Sequence, residues 1–163
     1  MANVYFSIGS NLGDKLANIH EAIDLISLKA GRLVSCSNIY ETPPLGFDSN
    51  SLFYNVCIQV STKNSVEDVL GLTQDIERQI GRKEKSNNGV YASRLIDIDI
   101  IFYDQLILKS AFLTVPHERF TERRFVLKPL NDINPSLIDP LSKKTIKELL
   151  SECKDESVLT RVD

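Results

Sequence analysis

The sequence predicts an α+β domain with a β-α-β-β-α-β core, an antiparallel sheet, helices packed on it and a C-terminal extension. Three observations predict it. Apolar residues alternate at period two in three separate runs, the mark of strands with one buried face. Two runs between them carry apolar residues at helical spacing. Glycine, proline and polar clusters separate the runs at short intervals. No internal repeat and no long linker interrupts the pattern, so residues 1–163 are expected to form one domain.

Val4, Phe6 and Ile8 alternate with Tyr5, Ser7 and Gly9, which predicts the first strand. The segment Gly9-Ser10-Asn11-Leu12-Gly13-Asp14 breaks it. Leu12, Leu16, Ile19, Ile23 and Ile26 then line one side of a helix, with Asp14 at the N-cap and Gly31 as the stop. Residues 33–40 read as one second strand. Pro43 and Pro44 end it, because proline removes ladder donors, and a loop is expected to about residue 52. Residues 53–62 form a third strand. Tyr54, Val56, Ile58 and Val60 share one of its faces; Phe53, Asn55, Cys57 and Gln59 share the other. Ser65 and Asp68 open a second helix in a capping-box pattern, Val69, Leu70, Thr73, Ile76 and Ile80 line its buried side, and Gly81 closes it. Residues 83–90 are polar, contain Asn87-Asn88-Gly89 and predict a mobile loop. Residues 95–103 are the most apolar strand, and 106–115 are expected to be its hairpin partner. A short helical stretch follows His117, and 145–153 form a last helix with Thr145 and Glu148 as capping box. This order is the ferredoxin-like split arrangement.

A formal charge of -3 argues against a nucleic-acid binder with a broad basic face. Cations nevertheless crowd two short regions, Arg78 to Arg94 and Arg119 to Lys128, which suits a small anionic ligand. Three widely spaced cysteines, Cys36, Cys57 and Cys153, form neither a disulfide framework nor a zinc motif, and predict reduced thiols in a cytoplasmic protein. The N-terminus has no signal-peptide pattern, and no apolar run reaches the roughly 20 residues that cross a bilayer.

The sharpest chemical feature is Asp97-Ile98-Asp99 inside Leu95-Ile96-Asp97-Ile98-Asp99-Ile100-Ile101-Phe102. Alternation puts both carboxylates on one strand face and the isoleucines on the other. Two like charges so placed repel, and a hard divalent cation such as magnesium would compensate them while bridging to phosphates. A bare D-x-D is common, and exposed acids on a solvated face are its ordinary explanation. Arg94 just before the strand and Arg82 just beyond the helix change the balance, because phosphoryl transfer rests on positioning and charge stabilisation. Gln74 and Glu77 share a side of that helix. No P-loop and no dinucleotide fingerprint occurs, so side chains and metal must hold any nucleotide phosphates. Val115-Pro116-His117 stands beside Arg123 and Phe125. Phe53, Asn55 and Phe125 would suit a flat heterocycle, with the amide on its edge; plain core packing is the alternative for both phenylalanines.

These residues resemble the 6-hydroxymethyl-7,8-dihydropterin pyrophosphokinases of folate biosynthesis, over about residues 4–130. The landmarks are Gly9-Ser10-Asn11-Leu12-Gly13, Tyr40-Glu41-Thr42-Pro43-Pro44-Leu45-Gly46, Asn55, Glu77 with Arg82, Arg94-Leu95-Ile96-Asp97-Ile98-Asp99, Val115-Pro116-His117, and Arg123 with Phe125-Val126-Leu127-Lys128-Pro129-Leu130. The resemblance implies transfer of a diphosphate from ATP to the pterin hydroxymethyl group, with release of AMP. It implies two magnesium ions on Asp97 and Asp99. It implies a pterin pocket of Thr42, Pro43, Leu45, Phe53, Asn55 and Phe125, and an ATP site of Gln74, Glu77, Tyr91, Arg94, Ile100, Thr114, His117 and Arg123. Arg82 and Arg94 match the arginines of a catalytic loop. The implied partners are ATP and the pterin, with no nucleic acid and no membrane, and the chain is expected to be a monomer. The sequence departs from the family at Tyr91-Ala92-Ser93, which replace tryptophan and a glycine-proline pair, and at Phe53, Phe112 and Glu118. Two rival readings are a ferredoxin-like regulatory module that binds a heterocycle, and a metal-dependent phosphohydrolase. The first leaves Asp97, Asp99, Arg82 and Arg94 without a role, and neither accounts for all the landmarks.

Overall fold

A computed structural model describes residues 1–43, 52–81 and 95–162. The expected loop with Arg82, Tyr91 and Arg94, and the pocket residue Leu45, lie outside them.

The first strand, β1 (Ala2–Ser10), pairs antiparallel with β4 (Phe53–Thr62) on one side and β5 (Asp97–Tyr103) on the other. Beyond β4 lie β2 (Arg32–Cys36) and β3 (Ile39–Thr42), both antiparallel to it. Helices α1 (Lys15–Lys29) and α2 (Val66–Gly81) supply the two crossovers. The ferredoxin-like arrangement therefore stands. Asp14 caps α1 as expected, accepting the Ala17 N–H at 3.1 Å, and the Ser65 hydroxyl accepts the Asp68 N–H at 3.1 Å. The helix α3 (Arg124–Ile133) and the capping-boxed α4 (Ile146–Glu152) follow in the chain.

Three expectations need correction. The single strand over 33–40 is two, because Ser37 takes the place of a ladder residue. Its hydroxyl accepts the Cys57 N–H at 2.9 Å and donates to the Asn38 carbonyl at 2.8 Å, which interrupts the pairing. Residues 106–115 do not pair with β5. They fold on themselves as β6 (Leu108–Lys109) and β7 (Thr114–Val115), around Ser110, whose hydroxyl accepts the N–H groups of Phe112 and Leu113. Finally, an unexpected strand, β8 (Thr160–Val162), pairs antiparallel with β3.

The sheet separates two apolar layers. Val4, Phe6, Ile8, Val56, Ile58, Val60, Ile98 and Ile100 face α1 and α2 in the larger layer. Tyr5, Cys57, Ile101 and Phe102 face α3 and α4 in the smaller one. The period-two patterns of the strands thus decide which residues enter which layer. Gly31 marks a tight junction: a Cβ there would overlap the Ser61 carbonyl oxygen of β4. Gly31→Ala is expected to destabilise the fold by about 1–3 kcal/mol, as overpacking does, read as a lower midpoint in urea unfolding.

Candidate active site

The two helical pairs cover unequal lengths of sheet. On the α3 side, among the described residues, side chains at the ends of β1, β4 and β5 form a floor. The register sets Gly9 opposite Asp97 on one side and opposite Asn55 on the other. One row on, Ser7 lies opposite Asp99. Asp97 and Asn55 are thus two strand spacings apart, roughly 10 Å. Gly9 leaves room between them, since a Cβ would stand 3.0 Å from the Asn55 Oδ1 and press on the amide.

This floor belongs to a cavity of about 200 Å³ lined by Ser7, Gly9, Thr42, Pro43, Phe53, Asn55, Asp97, Asp99, Arg123 and Phe125. Five of the six residues expected around the pterin line it, and Leu45 lies outside the described residues. Asn55 is buried and its Nδ2 donates to the Thr42 hydroxyl at 2.9 Å. That bond fixes the amide plane and ties β4 to β3. The Arg123 guanidinium lies 5.8 Å from the centre of the Phe125 ring.

A second cavity of about 360 Å³ adjoins the first, sharing Asp99 and Arg123. Ile100, Thr114 and His117 line it as expected for the ATP site, together with Leu70, Ile98, Phe112, Leu113, Glu118 and Arg119. Gln74 is exposed on α2. Ser7, Gly9, Leu70 and Leu113 were not expected as lining residues. For Ser7 and Gly9 a signal existed, since they alternate with Phe6 and Ile8 and so must face away from the core.

The open edge of β5 positions the charged groups. Glu77 on α2 accepts the outward Ile98 N–H at 2.8 Å, between the two aspartates in sequence. The outward Ile101 carbonyl accepts the His117 N–H at 3.0 Å, which docks the Val115-Pro116-His117 segment on the strand. His117 Nδ1 accepts the Arg119 N–H at 3.1 Å, and Nε2 lies 3.9 Å from Asp99 Oδ2. Burial, then the Arg123 charge, lower the imidazole pKa below its ordinary value. The neutral ring with Nδ1 occupied as acceptor carries its proton on Nε2. Ser10 of the Gly9–Gly13 segment donates its hydroxyl to the Leu95 carbonyl, anchoring the start of the aspartate strand.

Burial pushes the Glu77 carboxyl up to about 7; the Ile98 N–H opposes this, and the Asp97 and Asp99 charges add to it. A folded-state pKa above the unfolded value means that the native state holds the extra proton. Stability from this group is therefore full below about 4.5 and falls as pH rises through about 7. In magnesium-free buffer, Glu77→Gln is expected to flatten the decline of unfolding free energy between these pH values, measured by urea titration at several pH values. An unchanged slope would show that Glu77 is not the titrating group.

The carboxylates of Asp97 and Asp99 supply hard oxygen ligands at one cavity wall, which fits magnesium. Among the described residues no cluster of three or more His, Cys, Asp or Glu could hold a metal ion. Magnesium takes one or two carboxylates and completes its shell with water and substrate phosphates. No helix of the described residues is long and apolar enough to cross a membrane.

Comparison with known proteins is consistent with this geometry. The family described as 7,8-dihydro-6-hydroxymethylpterin-pyrophosphokinase matches residues 5–135. A Porphyromonas gingivalis protein named 2-amino-4-hydroxy-6-hydroxymethyldihydropteridine pyrophosphokinase is 42% identical over 84% of this chain and 94% of its own length. An Aquifex aeolicus protein of the same name is 33% identical over 93% of this chain and 92% of its own. A Pneumocystis carinii folic acid synthesis protein is 37% identical over 95% of this chain, which spans only 20% of that longer protein. In the solved Plasmodium falciparum HPPK-DHPS triple mutant, the likeness covers 93% of this chain and 44% of that one. The TM-score is 0.77 at 18% identity, so this likeness carries the fold alone.

Proposed function

The chain belongs to the 7,8-dihydro-6-hydroxymethylpterin-pyrophosphokinase family and is a pyrophosphokinase of folate biosynthesis acting on hydroxymethyldihydropterin with ATP as co-substrate, and from that premise we propose how its residues divide the work. The observation that carries the proposal is the pair of adjoining cavities with Asp99 and Arg123 in both. The smaller one takes the pterin: Phe53 and Phe125 flank the flat ring system, and the Asn55 amide and Thr42 meet its polar edge. The larger one takes ATP, with apolar Leu70, Ile98 and Leu113 toward the nucleoside and His117 and Arg123 toward the phosphates. Gln74, Glu77, Ile100, Thr114, Tyr91 and Arg94 complete the ATP side, and Arg82 with Arg94 supplies cations from the loop.

The substrates then meet at Asp97 and Asp99. Two magnesium ions held by these carboxylates would neutralise phosphate oxygens and lower the pKa of the attacking hydroxyl. The protein's own part is positioning. Asn55 and the phenylalanines aim the hydroxymethyl oxygen at the β-phosphorus of ATP. His117 donates from Nε2 to a phosphate oxygen and so does not serve as the base. Arg123, beside both ligands, stabilises charge where the diphosphate passes between them. The diphosphate moves as a unit, its bond to the AMP oxygen breaks, and AMP leaves.

The test is to mix protein, ATP, magnesium and 6-hydroxymethyl-7,8-dihydropterin and follow nucleotide products. AMP formed only when the pterin is present supports the reading. ADP or free phosphate overturns it in favour of a kinase or hydrolase, and pterin binding without turnover favours a regulatory module. The reading is of a single-domain monomer in the cytoplasm. The free thiols of Cys36, Cys57 and Cys153 support a reducing compartment.

A further inference from the structure

Helix α3 carries two residues of the smaller cavity at its start, Arg123 and Phe125. Arg123 occupies the N-cap position, where Ser, Thr, Asp or Asn would normally accept a free N–H of the first turn. Its guanidinium has nothing to accept with, and no side-chain cap comes from it. Arg124 adds a second positive charge where the helix dipole is already positive. The start of α3 is therefore deficient in acceptors and overloaded with cations, because Arg123 faces the cavities instead.

The deficit is met from far along the chain. Asp155 Oδ2 accepts the Arg124 N–H at 3.1 Å. Its other oxygen accepts the Ser157 N–H at 2.9 Å and the Ser157 hydroxyl at 2.5 Å, which holds the carboxylate in place. These hydrogen bonds, with the Arg124 charge, keep the carboxyl pKa below its usual value despite some burial. A few residues on, β8 pairs with β3 at Ile39, Tyr40 and Glu41. Thr42 and Pro43, immediately after, line the same cavity. Residues 154–162 thus bond to the chain neighbours of lining residues on both α3 and β3, and they lie beyond the stretch 5–135 that matches the family.

We infer that residues 154–162 are a strap that sets the width of the pterin cavity, with Asp155 as the positioning residue for Phe125 and Arg123. The inference rests on the pterin assignment above. It explains why an arginine can stand at the N-cap of α3: the capping acceptor has been moved to the tail, leaving the guanidinium to the ligands.

The test compares Asp155→Ala, Asp155→Asn and, as a control in the same region, Lys144→Ala, which breaks the Lys144–Glu152 ion pair without touching α3. Affinity for 6-hydroxymethylpterin and for a non-hydrolysable ATP analogue is measured for each, beside amide hydrogen exchange over residues 124–127. Asp155→Ala is expected to weaken pterin binding about tenfold, as a small displacement of a positioning group does, with a smaller effect on the ATP analogue. Its exchange over 124–127 should rise. Asp155→Asn keeps an acceptor oxygen and should restore most of the affinity. Lys144→Ala should bind both ligands as the wild type does. Wild-type pterin affinity in Asp155→Ala, equal losses for both ligands, or Asn as weak as Ala would each overturn the strap. A wild-type protein that fails to bind the pterin would instead overturn the functional reading. The exchange measurement needs no ligand, so unchanged exchange in Asp155→Ala would reject the strap by itself; increased exchange without pterin binding would show only that Asp155 holds the start of α3, and the strap would fall with the pterin assignment.

Discussion

Asp97→Ala and Asp99→Ala are each expected to slow AMP formation by about a thousandfold, the effect of losing roughly 4 kcal/mol of transition-state stabilisation. Both side chains line the cavity at half-exposed positions, while Ile96, Ile98 and Ile100 between and beside them are buried. Their removal therefore costs the core nothing. It also relieves repulsion between two carboxylates on one strand face, and eases the Glu77 carboxyl that they push upward. Each removal also gives up a contact, the Glu77–Asp97 hydrogen bond or the 3.9 Å approach of His117 to Asp99, so the melting temperature should change little while activity collapses. Product analysis by chromatography beside a thermal melt checks both halves. Near-normal turnover in either variant would sink the two-magnesium assignment, and a large loss of stability would make the residues structural.

Asn55→Ala is expected to weaken pterin affinity by roughly 2 kcal/mol, about 30-fold, because a buried amide facing the polar edge of a ring leaves that edge unpaired when removed. Asn55 lies two strands from Asp97, and it does not line the larger cavity. The affinity for an ATP analogue should hold to within about twofold, or under 0.5 kcal/mol. The variant also frees the Thr42 hydroxyl from its 2.9 Å bond, so Thr42→Val is the companion. It removes the same bond while keeping the amide, and should cost less pterin affinity than Asn55→Ala. Calorimetric titration of both ligands reads the result. Parallel losses for pterin and ATP would mean that the pterin site has been misplaced.

Much of this was legible in the chain itself. Period two in β1, β4 and β5 placed Ile98 and Ile100 in one layer and Asp97 and Asp99 on the opposite face, because backbone geometry alone forces successive side chains apart. Asp14, Ser65 and Thr145 announced helix starts because capping is a local hydrogen bond between residues three apart. The split of the second strand at Ser37 was not legible. A serine hydroxyl takes a ladder amide only when a particular partner, here Cys57, arrives opposite it. The self-folded hairpin of β6 and β7 escaped for a similar reason. Its turn at Ser110 is local, but which strand it leaves unpaired depends on what already covers the β5 edge.

Short-range patterns thus determined the strands, the helices, the two faces and the residue types of the site, since these follow from backbone periodicity and neighbour contacts. Pairing across long separations decided the rest: Gly9 between Asp97 and Asn55, Glu77 and His117 on the open edge of β5, and Asp155 at the start of α3. The local sequence holds no trace of such partners, because a hydrogen bond from residue 124 to residue 155 depends on where the whole fold brings them and on nothing that either neighbourhood contains.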